Sequence, residues 1–386
     1  MQMQMQMQMK MKKPSTPFPT TGYFGPAFFC NRETETKTLL ENIRGGLSTI
    51  LTAQRRIGKT ALIMHVLGRL PAGTRGIYLD ILPTENMNGF LNEFASAVIR
   101  NVPDKRNPGK KLWDFIKSLR PSLTFDTLTG TPQVSFTVKE QEANRQIEAI
   151  FSFLEQQEEK YVIAIDEFQQ ILNYPEKNSD AWFRSVIQKL KNVVFIFSGS
   201  LQHLMNEMFT IPSRPFYSSA RMMKIGKIDR KKYSSFISEK FLERNMGIIA
   251  EVLDKMFDWT DDHTFYVQLL CNRVFLRGCR VITDDDWKEE AGRLLKEMEP
   301  VFYNYRAMLT SAQWNLLKAC ALENELYTPT GYDFISRYNL GNPASVLRCL
   351  HALIRMELIY FDYSPGGKKF YKINDLLFRR WVETKE

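Results

Sequence analysis

Ala53, Gln54, Arg55, Arg56, Ile57, Gly58, Lys59, Thr60 and Ala61 follow without interruption from the apolar stretch "STILT". Apart from Ala53 in the place of a first glycine, they satisfy the spacing G-x-x-x-x-G-K-[ST] of a phosphate-binding loop. Each part of such a loop has its own task. Successive backbone N–H groups and the positive end of the following helix surround phosphate oxygens, the Lys59 ammonium reaches the β and γ groups, and the Thr60 hydroxyl ligates magnesium. Gly58 stands where backbone and phosphate approach most closely. Alanine at position 53 costs some backbone freedom in the turn and removes no ligand.

A second motif lies downstream. "YVIAIDEFQQIL" is a hydrophobic strand ending in adjacent acids, the arrangement of a Walker B motif. Asp166 would hold magnesium through its water shell, and Glu167 would orient or deprotonate the attacking water. In "VVFIFSGSL" another buried strand runs into Ser198, Gly199 and Ser200. Ser198 or Ser200 can project a hydroxyl between those acids and the γ-phosphate, although serine and glycine after a strand are also ordinary turn chemistry.

The elements that must position these residues can be read from the apolar pattern. Over residues 22–227, short β-rich runs alternate with amphipathic segments, which predicts a parallel sheet flanked by helices, an α/β core with its ligand site at the carboxyl ends of the strands. Strands are expected at 47–52, 76–81, 161–165 and 193–198. An insert at 121–138 alternates apolar residues around Thr-Gly-Thr-Pro and predicts a hairpin or irregular arm. Residues 228–300 are helical by periodicity. Residues 301–386 give three helices, the third opening with Asn342 as N-cap and Pro343 at the first helical position, and then a hairpin around Ser-Pro-Gly-Gly; three helices and a wing make a winged-helix domain. The leader, 1–21, begins MQMQMQMQMKMKK and is expected to be disordered, its alternation being also compatible with a fortuitous strand.

The bulk properties bound these readings. The 386 residues exceed one ordinary core, and 44% hydrophobic with 25% charged residues excludes global disorder. No apolar run reaches the length of a membrane span. The five cysteines form no C-x-x-C pair, as in a reduced, cytoplasmic protein. A net charge of +9, from 52 basic and 43 acidic side chains, permits contact with polyanions without requiring it. Over residues 301–386 the surplus is small, eleven basic against eight acidic. Arg348, His351 and Arg355 nonetheless share one helical face, with Lys368, Lys369 and Lys372 on or beside the wing, so DNA is an alternative partner.

The combination "FFCNRETETKTLL", "LTAQRRIGKTALI", "IAIDEFQ", "FSGS" and "RPFYSSARMMKI" resembles the archaeal-type ATPase family, a branch of the STAND group within the AAA+ superfamily of P-loop NTPases. The likeness runs from about Phe28 to the end of the chain. Arg55, Arg56, Gly58, Lys59 and Thr60 match the family's loop, and Ala53 departs from it. The resemblance implies ATP as the nucleotide, an ATPase core followed by a helical lid and a winged helix, and work as a cytoplasmic switch acting on a protein partner that the sequence does not identify. It places Asn31, Arg32 and Glu33 near the adenine, with Cys30 and Asn31 departing from the usual box. It also makes Arg214 and Arg221 candidates for a charge that reaches a phosphate in the same or a neighbouring subunit, and His263 a nucleotide sensor of the lid. In that lid motif Asp261 and Asp262 replace glycines and Thr264 replaces a proline. The alternative is an ATP-loaded DNA-binding regulator with little or no hydrolysis. Oligomeric state stays open.

Overall fold

The structure, a computed structural model, describes residues 14–101, 114–119, 121–125 and 132–385. Most of the leader, 1–13, and the turn of the insert, 126–131, lie outside the described residues. The chain divides into two compact units, one containing Thr21–Ile228 and the other Ser15–Thr20 with Asp229–Glu386.

The first unit is built on a sheet. Its strands in chain order are β1 (Thr49–Thr52), β2 (Thr74–Asp80), β3 (Ser122–Phe125), β4 (Pro132–Ser135), β5 (Lys160–Asp166), β6 (Val193–Gly199) and β7 (Arg221–Lys224). Five of them form one parallel sheet in the order β2-β5-β6-β1-β7. Side chains alternate between its faces. Ile50, Ile163, Ile165, Phe195 and Phe197 pack with Phe90, Phe94 and Phe151 on one side. Leu51, Val162, Ala164, Val194 and Ile196 pack with Leu39, Ile43, Leu62, Ile63 and Val66 on the other. Burial on both faces is why β5 and β6 are continuous apolar runs. In the insert, β3 and β4 pair antiparallel, Ser122 opposite Ser135 and Phe125 opposite Pro132.

One strand was not expected. β7 has the sequence RMMK, mostly exposed, and lies at the sheet edge beside β1. An edge strand needs no apolar run, so the pattern offered no sign of it.

In the second unit, helices Arg230–Leu242, Ala250–Trp259, Thr264–Leu276 and Asp284–Met308 precede the winged-helix helices Ser311–Leu322, Tyr332–Tyr338 and Pro343–Arg355, and a hairpin pairs Ile359–Tyr363 with Lys369–Ile373. Asn342 does cap its helix, its side chain accepting from Ser345 N–H. A further helix, Leu376–Glu383, follows the wing and was not anticipated.

Two expected boundaries fall inside structured segments. The division at 300/301 falls inside the continuous helix Asp284–Met308, which contains Pro300. Leu295 and Phe302, on either side of that proline, enter one core with Tyr266 of the lid and Leu350, Phe378 and Trp381 of the winged helix, so packing overrides the local break. Asp375 reinforces the union: it accepts from the hydroxyls of Tyr266 at 3.2 Å and Tyr305 at 3.5 Å while capping the last helix. The leader is also shorter than expected. Ser15–Thr20 belongs to the second unit, where Phe18 is 1% exposed and lies 4.8 Å from the Phe241 ring centroid. Asn272 Nδ2 donates to Thr16 Oγ1 and to the Phe18 carbonyl.

Candidate functional site

β1, buried throughout, delivers the chain into the loop, and the helix Lys59–Leu67 takes it out again. Gly58 caps this helix at φ 101°, a conformation closed to most side chains. Ala53 is absent from the residues with positive φ and packs fully buried against the loop's own helix, so the missing first glycine is accommodated without strain. Arg56 takes the left-handed turn instead, at φ 56°. Ile57 is buried, and its carbonyl accepts from Arg32 Nη2 at 3.2 Å. The box before the first helix therefore supports the loop directly. Gln54 is half-buried, while Arg55 and Arg56 stand on the exposed side.

Lys59 is 6% exposed. Its Nζ donates to the carbonyls of Ala53 and Gln54, each at 3.3 Å. Burial holds this ammonium below the usual lysine range, the charges of Glu167 and Asp166 opposing that shift. Thr60 Oγ1 donates to Asp166 Oδ2 at 2.7 Å, joining the loop to the end of β5. Tyr78, on the neighbouring β2, donates to the same oxygen at 3.1 Å. Burial and the adjoining Asp166 charge push the Tyr78 phenol far up, so it keeps the proton that it donates to Asp166. Asp80 is the register partner of Asp166, and burial, opposed by the Leu82 N–H, raises its carboxyl as well.

Glu167 follows at φ 55°, a left-handed residue between strand and the short helix Phe168–Asn173. Its Oε2 accepts from Ser200 N at 3.1 Å, Ser200 Oγ at 2.7 Å and Gln169 Nε2 at 2.5 Å. Of the two serines considered from sequence, Ser200 thus meets the acids. Ser198 lies within β6, fully buried, and its hydroxyl has no hydrogen-bond partner among the described residues. By the pleat it shares the face of Val194 and Ile196, the face carrying the loop helix, so it neighbours the site without touching Glu167.

Three expectations are corrected or narrowed. Arg221 opens β7 opposite Thr49, whereas the loop follows Thr52 at the other end of the strand, and its Nη1 donates to Asn42 Oδ1 at 3.4 Å. It does not serve its own chain's loop. Arg214 is paired with Glu207. His263 belongs to the second unit, as N-cap of the helix Thr264–Leu276, with the Tyr266 ring 4.9 Å away. The two acids of its motif are matched by cations: Asp262 by Arg230 at 2.8 Å and Asp261 by Lys372 at 3.8 Å. The sequence reading overlooked Tyr78 and Gln169. Their only signal is position, one on the strand beside the acids and the other two residues after them.

A buried ammonium, a helix N-terminus, and a hydroxyl joined to a carboxylate are suited to a triphosphate and a hard divalent cation. Fold and site together define a P-loop ATPase core carrying a C-terminal winged helix. Residues 29–270 match a family model described as "ATPase domain predominantly from Archaea", and 300–384 match a "Probable winged helix domain". The chain belongs to this archaeal-type ATPase family, and it is an ATP-binding ATPase. No curated protein matches its sequence. Among solved structures it is similar to a Walker-type ATPase of Pyrococcus abyssi, with a TM-score of 0.66 and 18% identity over 95% of this chain and 100% of the other. It is also similar to the Aeropyrum pernix ORC1 protein in complex with DNA, with a TM-score of 0.51 and 14% identity over 96% of each chain. The ORC2 protein of the same organism, in ADPNP-ADP complexes, gives 0.52 and 11% over 92% and 94%. At these identities the likeness concerns the fold.

Proposed function

We propose that this ATPase is a nucleotide-dependent molecular switch of the STAND type within AAA+, in which hydrolysis of magnesium-ATP at the loop resets the unit carrying the lid helices and the winged helix. The observation that carries the reading is the Thr60–Asp166 hydrogen bond, with Lys59 in the field of Asp166 and Glu167. In this reading Lys59 and the loop amides stabilise the phosphates, Thr60 and Asp166 hold magnesium, and Glu167, oriented by Ser200 and Gln169, takes the proton of the attacking water. Magnesium, when bound, neutralises charge developing on the phosphate oxygens. Because lid and winged helix share one core, the reset acts on them as a single body. His263 is the proposed nucleotide sensor of that body, and Arg221 serves a neighbouring subunit.

Among the described residues no helix is long and apolar enough to cross a membrane, and all five cysteines are free thiols, which supports a cytoplasmic place. The reading predicts that Glu167→Gln binds ATP like the parent and turns it over at least about 100-fold more slowly. Parent-like turnover by that variant would remove Glu167 from the chemistry.

A second reading, an ATP-loaded DNA-binding regulator, draws on the exposed Arg348, His351 and Arg355 and on the likeness to a protein solved with DNA. The wing favours it less. Lys372 is engaged by Glu325 at 3.4 Å as well as by Asp261, and Lys369 sits 3.7 Å over the Phe361 ring. ATP turnover with and without duplex DNA, beside a gel-shift titration across salt, separates the two.

A further inference from the structure

We propose that Gln169 is a positioning residue for Glu167, and that position 199 is glycine to make room for it. The proposal rests on the reading of Glu167 as the residue that activates water. Glu167 leaves β5 in a left-handed conformation, which starts the tight helix Phe168–Asn173 and turns Gln169 back toward the acid. Gln169 Nε2 donates to Glu167 Oε2 at 2.5 Å, beside the two donors of Ser200. All three bonds end on one oxygen. The carboxylate is thereby fixed in rotation, and Oε1 is the oxygen presented to water.

The surroundings of Gln169 show that its amide is not kept for packing. It is 3% exposed, and its Oε1 is buried without a hydrogen-bond partner among the described residues. Methionine or leucine would fill such a place without an unsatisfied carbonyl, and a buried polar group left unpaired is costly. The amide is therefore retained at a cost to stability, as is common where a side chain holds a reacting group. β6 makes the matching concession. A Cβ at Gly199 would collide with Gln169 Oε1 and come within 2.7 Å of Met205 Cγ. Gly199 is not among the residues with positive φ, so it is glycine for space and not for backbone freedom.

The test is a double-mutant cycle in the full-length protein. Gln169→Ala should lower kcat for ATP about tenfold with KM changed less than about twofold. Gln169→Met, which refills the volume without the amide, should do the same while melting at or above the parent's temperature, and Gly199→Ala should reproduce the loss by displacing the amide. In a Glu167→Gln background, none of these should slow turnover further, since a group that acts through Glu167 has nothing left to position. A parent-like or faster Gln169→Met protein overturns the proposal while the reading of Glu167 stands, and so does a full further loss in the Glu167→Gln background. A Glu167→Gln protein with parent-like turnover brings down that reading, and the proposal with it.

Discussion

At Asp166 three elements meet on two oxygens. Oδ2 accepts from Thr60 of the loop and Tyr78 of β2, and Oδ1 from the Glu167 N–H. If Asp166 holds magnesium, Tyr78 tunes that grip from outside the ligand set, as such partners do in metal sites. Tyr78→Phe removes one oxygen from a half-buried ring, so the fold should persist. The magnesium concentration giving half-maximal ATP turnover should rise about tenfold; an unchanged requirement would show that the phenol is a bystander. Lys59, Thr60, Asp166 and Glu167 were legible in the sequence because each motif is contiguous and its spacing follows from the loop it forms. Tyr78 and Gln169 were not, because nothing local says that β2 lies beside β5 or that the turn at Glu167 is left-handed. The choice between Ser198 and Ser200 was open for a related reason: it depends on where β6 ends.

The elements divide the same way. β5 and β6 announced themselves as apolar runs because both their faces are covered, whereas β7 is an exposed edge and reads as loop. The expected division at 300/301 lies within the helix Asp284–Met308, where Pro300 does not end the helix and the two halves feed one core. The segment Ser15–Thr20 is the strongest case. Threonine, phenylalanine and prolines carry no periodicity, and only the pocket beside Phe241 and Phe275 reveals that Phe18 is a core residue. Phe18→Ala should therefore cost about 3–5 kcal/mol, read as an earlier urea-unfolding transition of the second unit. A loss below about 0.5 kcal/mol, the range of exposed substitutions, would show that the segment is not held there.

On the scale of the whole molecule, the chain passes between its two units at both ends of the first, after Thr20 and after Ile228. The second unit merges the lid helices and the winged helix in one core, so in the proposed switch the two would move together. Lys372 of the wing on Asp261 and Arg230 of the lid on Asp262 answer the charge that these acids bring to the lid motif. Everything proposed for the switch requires a single ATP site assembled by Lys59, Thr60, Asp166 and Glu167. Calorimetric titration of magnesium-ATP into the parent and the Lys59→Ala protein tests this most directly. The account predicts saturable binding at one site per chain in the parent and a loss of at least about 100-fold in affinity, or 2.7 kcal/mol, in the variant; equal affinity in the two proteins would contradict it.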